Sequence, residues 1–130
     1  MPAHPTILVV DDQPELLSGL QLTLEFAGYQ VLTAVDGHLA LTILRRQPVE
    51  LVLADIAMPQ LNGYQLYEQV RADPALSRLP VLMLTAEAHR EQIVAAAQAG
   101  VNGYVIKPFT AAILKEKIDK VLGARAASAA

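Results

Sequence analysis

Cysteine is absent from this 130-residue chain, which removes disulfides and thiolate metal sites and is compatible with a reducing cytosol. Also missing is any stretch approaching the roughly 20 uninterrupted apolar residues of a membrane-spanning helix. Residues 1–5 lack the charged segment followed by an apolar one that marks a secretory signal. Lys and Arg number 10 against 13 Asp and Glu, for a net charge of −3. They are scattered rather than gathered in a basic stripe, so binding to nucleic acid is not expected. These absences lead us to expect a cytoplasmic protein that acts neither on DNA nor in a membrane.

What is present suffices for one domain with a substantial core. With 53% apolar and 18% charged residues, the chain is too apolar for disorder and suits a sheet covered on both faces. Short apolar runs at 7–10, 29–34, 51–54, 80–84 and 101–106 are rich in Val, Ile and Leu, as doubly buried strands are. Between them apolar residues recur at helical spacing: Leu16, Leu17, Leu20 and Leu24; Ala40, Ile43 and Leu44; Leu66, Tyr67 and Val70; Ile93, Ala96 and Ala97; and Leu114, Ile118, Val121 and Leu122. Gly28 and Gly100 stand where helix ends favour a left-handed residue. Strict alternation of strand and helix predicts an α/β fold with a five-stranded parallel, doubly wound sheet. The domain is expected over 6–122, after a flexible start at 1–5 and before a frayed tail or linker at 123–130.

Residues with chemistry to offer collect where the apolar runs stop. Asp11 and Asp12 follow the first run, Asp55 the third and Lys107 the fifth. In a parallel sheet these ends share the carboxyl edge, where open α/β folds bind ligands. Two carboxylates about 4 Å apart repel by about 1 kcal/mol in bulk water and about 4 at an effective dielectric near 20, so such a cluster demands a cation. Three negative charges and one Lys leave a deficit that one divalent ion would cancel. The pattern predicts a metal-dependent anion or phosphoryl site.

Taken singly, most of these residues have a plainer role open to them. Asp12, with Pro14 and Glu15 behind it, fits a helix N-cap with its capping-box partner. Lys107 before Pro108 fits a turn after a strand, and Thr85 with Ala86 fits a helix start. Asp55 resists such a reading, because a carboxylate buried without a partner at the end of a central strand is costly. His4, His38 and His89 fall on the chain start and on water-facing helix segments, and none is assigned to catalysis. Met58 and Met83 read as loop and core packing. The site rests on the coincidence of the signals at one sheet edge.

Over 6–122 the chain resembles the receiver domains of bacterial two-component response regulators. Asp11 and Asp12 match the acidic pair after the first strand, and Asp55, Ile56, Ala57, Met58, Pro59 and then Gly63 resemble the phosphoacceptor loop. Leu84, Thr85 and Ala86 resemble the hydroxyl-bearing end of the fourth strand, Lys107, Pro108 and Phe109 the closing motif, and Tyr104 the switch aromatic. The resemblance implies a flavodoxin-like sheet and a signalling domain that catalyses only its own phosphorylation and dephosphorylation. Asp55 would accept a phosphoryl group from a sensor histidine kinase or a histidine phosphotransfer protein. Asp12, Asp55 and the backbone carbonyl of Ala57 would bind Mg2+ directly and Asp11 through a water, with Mn2+ as a substitute. No histidine stands near these positions, which argues against zinc. Lys107 and the Thr85 hydroxyl would hold the phosphoryl oxygens, while Ala57 and Glu87 would flank the hydrolytic water. Thr85 and Tyr104 would carry the signal to the face built by the fourth helix, fifth strand and fifth helix. There His89, Arg90, Gln92 and Ala96 with Lys115 and Asp119 are expected to meet a downstream protein.

Departures from the family pattern narrow the subtype. Asn102 and Gly103 stand where family members with a charged dimer face often carry acidic residues. This turns the expectation away from transcription-factor receivers, and the runs 71–80 and 99–104 resemble single-domain chemotaxis-type regulators, with a receiver of a larger hybrid kinase as the alternative. Two other classes fit less well. An aspartate-nucleophile Mg2+ phosphatase resembles a pattern with a second Asp two residues after the first, where this chain has Ala57. A flavin-binding flavodoxin needs a Ser/Thr/Gly-rich loop after the first strand, where Asp11, Asp12, Gln13 and Pro14 would repel a phosphate.

Overall fold

Strands β1 (Thr6–Val10), β2 (Gln30–Ala34), β3 (Leu51–Asp55), β4 (Val81–Ala86) and β5 (Gly103–Lys107) form one parallel sheet in the order β2-β1-β3-β4-β5. This computed structural model describes residues 5–56, 58, 61–86, 103–107 and 109–129, with 86, 107 and 124–129 by backbone alone. Helices α1 (Pro14–Phe26), α2 (Gly37–Arg46) and α3 (Gly63–Ala72) connect the first four strands, and a C-terminal helix (Ala111–Ala129) follows β5. The fourth helical pattern, with Ile93, Ala96, Ala97 and Gly100, lies outside the described residues, as do His4 and His89.

Alternation along each strand distributes the core over both faces of the sheet. Leu8, Val10, Val52, Ala54, Val81 and Met83 pack with α2 and α3, whereas Ile7, Val9, Leu51, Leu53, Leu82, Leu84 and Val105 pack with α1 and the C-terminal helix. Such two-sided burial explains why the runs read as continuously apolar rather than alternating. Of the Leu residues expected on the buried stripe of α1, Leu17, Leu20 and Leu24 are buried, and Leu16 is exposed. Gly28 ends α1 with a φ of 103°, the left-handed conformation anticipated for it.

Element boundaries differ from the sequence expectation chiefly at their carboxyl ends. Asp55, Thr85 and Lys107 belong to their strands instead of following them. Ladder hydrogen bonds join backbones and continue past a polar side chain, as in the bond from the Ile56 amide to the Leu84 carbonyl at 3.0 Å. The C-terminal helix runs through Ala129, so 123–129 of the segment expected as a frayed tail or linker are helical. Ala124, Ala126, Ala127 and Ala129 have the highest helix propensity of any residue type and offset the cost of Gly123.

One polar cluster ties the sheet's first edge to the C-terminal helix. The buried Tyr29 donates its hydroxyl to Asp119 Oδ1. Lys115 Nζ reaches Asp119 Oδ2 at 2.5 Å and lies 5.6 Å from the Tyr29 ring centroid. Burial, then the hydrogen bond and charge of Asp119, hold the Tyr29 phenol well above its ordinary pKa. Partial burial raises the Asp119 pKa, but hydrogen bonds from Lys115 and Tyr29 and the lysine charge outweigh it, leaving the carboxyl below its ordinary value. A raised Tyr29 pKa contributes stability that is present below the unfolded value of about 10 and lost above it; the lowered Asp119 pKa contributes stability present above about 4 and lost as pH falls. Tyr29→Phe and Asp119→Asn should therefore lower the melting temperature between about pH 5 and 9, with the difference from wild type shrinking at both extremes. Thermal unfolding curves showing a pH-independent difference would mean that packing alone carries the effect.

Candidate functional site

The chain leaves β1 for β2 on one side and later enters β3 on the other, so β1 and β3 flank the switch point of the sheet. Ligands bind in the crevice at the carboxyl ends of such strands. Asp11 extends β1 there: its amide donates to the Ala34 carbonyl at 3.1 Å, and its buried Oδ1 accepts from the Gln13 amide at 2.9 Å. Asp12 is exposed beside it. The capping role open to Asp12 is not the one observed. Gln13, extended at φ −100° and ψ 110°, is the N-cap of α1, and no side chain caps the helix. Pro14 at the first helical position lacks an amide to be satisfied and moves the helix start one residue past Asp12. The Asp12 carboxylate is left to the acidic cluster.

Asp55 closes β3 and is buried. One carboxylate oxygen from each of Asp11, Asp12 and Asp55 lies within 4.8 Å of the others. At that spacing each pair repels by about 3 kcal/mol at an effective dielectric near 20. Three convergent carboxylates, two of them buried, form an all-oxygen donor set of the type that suits Mg2+ or another hard divalent cation. The residues present therefore fit the expected ion. Thr85 is buried on the neighbouring β4. The backbone of Lys107 ends β5 opposite Ala86, two residues beyond the level at which Asp55, Leu84 and Val105 align across three strands. The Lys107 side chain, Ala57 and Glu87 lie outside the described residues.

The segment after Asp55 is held at both ends. The Met58 side chain is buried in the core beneath α2 and α3, the loop and core packing expected of it. At the other end the Gly63 amide donates to the Ile56 carbonyl at 3.2 Å. A Cβ on Gly63 would stand 2.6 Å from the Asp55 carbonyl oxygen, so only glycine lets α3 begin this close to β3. Asn62 and Gln65 add a reciprocal capping box, a feature passed over in the sequence although its spacing is visible there.

Register joins the two expected switch residues. Met83 pairs with Tyr104 and Thr85 with Ile106, which sets Thr85 and Tyr104 on one face of adjacent strands. Tyr104 is 38% exposed. Of the residues expected on the partner surface, Lys115 and Asp119 are engaged with Tyr29 on one flank of the C-terminal helix and remain about half exposed. At about 3.6 residues per turn, the flank toward the open β5 edge carries Ile113 and Lys117 instead, and both are exposed. His89, Arg90, Gln92 and Ala96 fall outside the described residues.

An acid cluster at the switch point of a doubly wound sheet, with a hydroxyl one residue from the end of the next strand and a lysine closing the one after, marks a receiver domain. The chain belongs to that family, matching the response regulator receiver domain over residues 7–119. It is 50% identical over 118 residues to the chemotaxis protein CheY-3 of Vibrio cholerae, covering 88% of this chain and 89% of that protein. Among solved structures, CheY4 of Vibrio cholerae superposes with a TM-score of 0.85 at 31% identity, covering 92% of this chain and 99% of that one. The receiver domain of a Pseudomonas aeruginosa sensor histidine kinase, solved with a magnesium ion in its active-site cleft, gives a TM-score of 0.85 at 33% identity, covering 93% and 99%. Likeness to chemotaxis regulators thus agrees with the subtype expected from the runs 71–80 and 99–104.

Two outcomes follow from this geometry. Gly63→Ala should cost roughly 1–3 kcal/mol in urea denaturation, because a backbone carbonyl cannot swing aside; an unchanged midpoint would mean that α3 shifts freely. Mg2+ should raise the melting temperature of wild type by relieving carboxylate repulsion, and this rise should be largely absent in Asp12→Ala. Equal Mg2+ stabilisation of both proteins would remove Asp12 from the ligand set.

Proposed function

We propose that the protein takes a phosphoryl group from the histidine of a sensor kinase or phosphotransfer protein onto Asp55 and thereby switches a protein-binding face. The observation that carries this reading is the convergence of a buried Asp55 with Asp11 and Asp12, their oxygens within 4.8 Å of one another. A carboxylate so placed is a nucleophile whose own charge opposes the approach of an anion, and the site must supply the offset. A hard divalent cation, Mg2+ or Mn2+, held by Asp11, Asp12, Asp55 and the Ala57 carbonyl, supplies positive charge to the phosphoryl oxygens when bound. Asp55 then forms a P–O bond as the P–N bond to the donor histidine breaks, leaving an aspartyl phosphate and a neutral imidazole once a proton is taken up. Lys107 and the Thr85 hydroxyl hold the transferred oxygens. Ala57 offers no hydrogen bond to the hydrolytic water, so any side-chain orientation of it falls to Glu87.

Output follows from the drawing of Thr85 toward the phosphate, which frees space for Tyr104 on the same sheet face to turn inward. The downstream partner then meets the expected residues His89, Arg90, Gln92, Ala96, Lys115 and Asp119, together with Tyr104, Ile106, Ile113 and Lys117. A population shift suffices, at about 1.4 kcal/mol for each tenfold change. We place the protein among chemotaxis-type regulators acting in the cytoplasm, supported by its 50% identity to a chemotaxis protein. Among the described residues no helix is long and apolar enough to cross a membrane. A receiver module of a larger hybrid kinase is the second reading, favoured by the 33% identity to a kinase receiver. Incubation with Mg2+ and acetyl phosphate should add one acid-stable, base-labile phosphoryl group, and Asp55→Asn should abolish it. Wild-type labelling of Asp55→Asn would overturn the assignment.

A further inference from the structure

At the pole of the sheet opposite the acids, α2 and α3 both end, and a cavity of about 320 Å³ opens between the segments that follow them. Leu44 and Val49 on one side and Leu76 and Leu79 on the other give it an apolar floor continuous with the core under these helices. Arg45 and Arg78 stand on its rim.

Charge is unevenly placed here. Four of the six arginines of the chain, Arg45, Arg46, Arg71 and Arg78, lie at this pole, although the chain as a whole is acidic. The nearby acids are already engaged: Glu50 accepts from the Thr6 amide, and Asp73 Oδ1 accepts from the Ala75 amide at 2.9 Å. Asp73 Oδ2 also meets Arg45 Nε at 3.5 Å, but Arg45 is 55% exposed, and a long, solvated pair of this kind is weak enough for another anion to displace. Arg71 is committed to the Leu79 carbonyl at 2.7 Å and to the Tyr67 ring at 4.7 Å. Arg45 and Arg46 offset the negative end of α2. Arg78 stands on the loop that follows α3 and is exposed.

We propose that this cavity binds a small amphipathic anion, a carboxylate or phosphate on an apolar body. The body lies on Leu44, Val49, Leu76 and Leu79, and the head sits between Arg45 and Arg78. The volume stands at the lower end of small-molecule sites, which begin at about 300 Å³. Amide NMR shifts of the full chain, titrated separately with octanoate and phenyl phosphate, test the proposal, with 1-octanol and inorganic phosphate as probes carrying half of the chemistry each. Saturable shifts are expected at residues 44–49 and 75–79 for at least one of the two amphipathic anions, and the preferred one identifies the head group. Either half-probe should bind at least about tenfold more weakly, and Arg78→Ala should weaken the preferred anion about tenfold, the effect of losing one charge-assisted hydrogen bond. Ala75→Phe, which fills the cavity and keeps both arginines, should abolish binding. Shifts that do not saturate, that map elsewhere, that are matched by octanol or phosphate, or that persist unchanged in Arg78→Ala or Ala75→Phe would each overturn it.

Discussion

Mutual repulsion among Asp11, Asp12 and Asp55 is the constraint around which the carboxyl edge of this domain is built. Carboxylates held within 4.8 Å of one another separate unless the backbone prevents it. Here two adjacent strands prevent it. Val10 is in register with Ala54 on β3, and Asp11 is tied by its amide to Ala34 on β2, so the acids emerge from the interior of a five-stranded ladder rather than from a free loop. The cost of crowding is met by the cohesion of the sheet, and that stored repulsion is what a divalent cation would relieve on binding.

The same constraint shapes what lies next to the acids. A free loop after β3 would let Asp55 swing outward, toward water. Instead Met58 is anchored in the core, Gly63 lets the first turn of α3 touch the Asp55 carbonyl, and Asn62 with Gln65 closes that helix start. Removing any one of these contacts leaves the ligand set intact on paper and loosens its spacing. Positioning of a carboxylate to within a fraction of an ångström is what metal coordination and in-line transfer both require.

Fold class was legible because a parallel sheet buried on both faces leaves runs of Val, Ile and Leu that alternate with helical periodicity, as at Ile7 to Val10 and Leu51 to Ala54. The acids were legible because each stands at a change from apolar to polar. Strand ends were read short, since hydropathy stops at Asp55 and Thr85 whereas backbone pairing does not. Asp12 was open to a capping reading because local spacing cannot reveal that Pro14 moves the helix start past it. The engagement of Lys115 and Asp119 with Tyr29 was not legible for a different reason: Tyr29 lies 90 residues from Asp119 in sequence, and nothing local signals that pairing.

Topology also sorts charge along the molecule. In a doubly wound sheet the helices run opposite to the strands, so α1 and α3 begin at the pole where Asp12 and Asp55 stand, and α2 and α3 end at the pole where the arginines gather. The positive ends of α1 and α3 thus face the carboxylates, and Arg45, Arg46 and Arg71 face the negative ends of α2 and α3. Each such interaction is modest, about 0.3–1 kcal/mol at an exposed site. Their common direction makes the acidic edge less unfavourable and the opposite edge attractive to anions. The acidic cluster and the arginine-rimmed cavity are therefore two consequences of one chain topology, one at each end of the same strands.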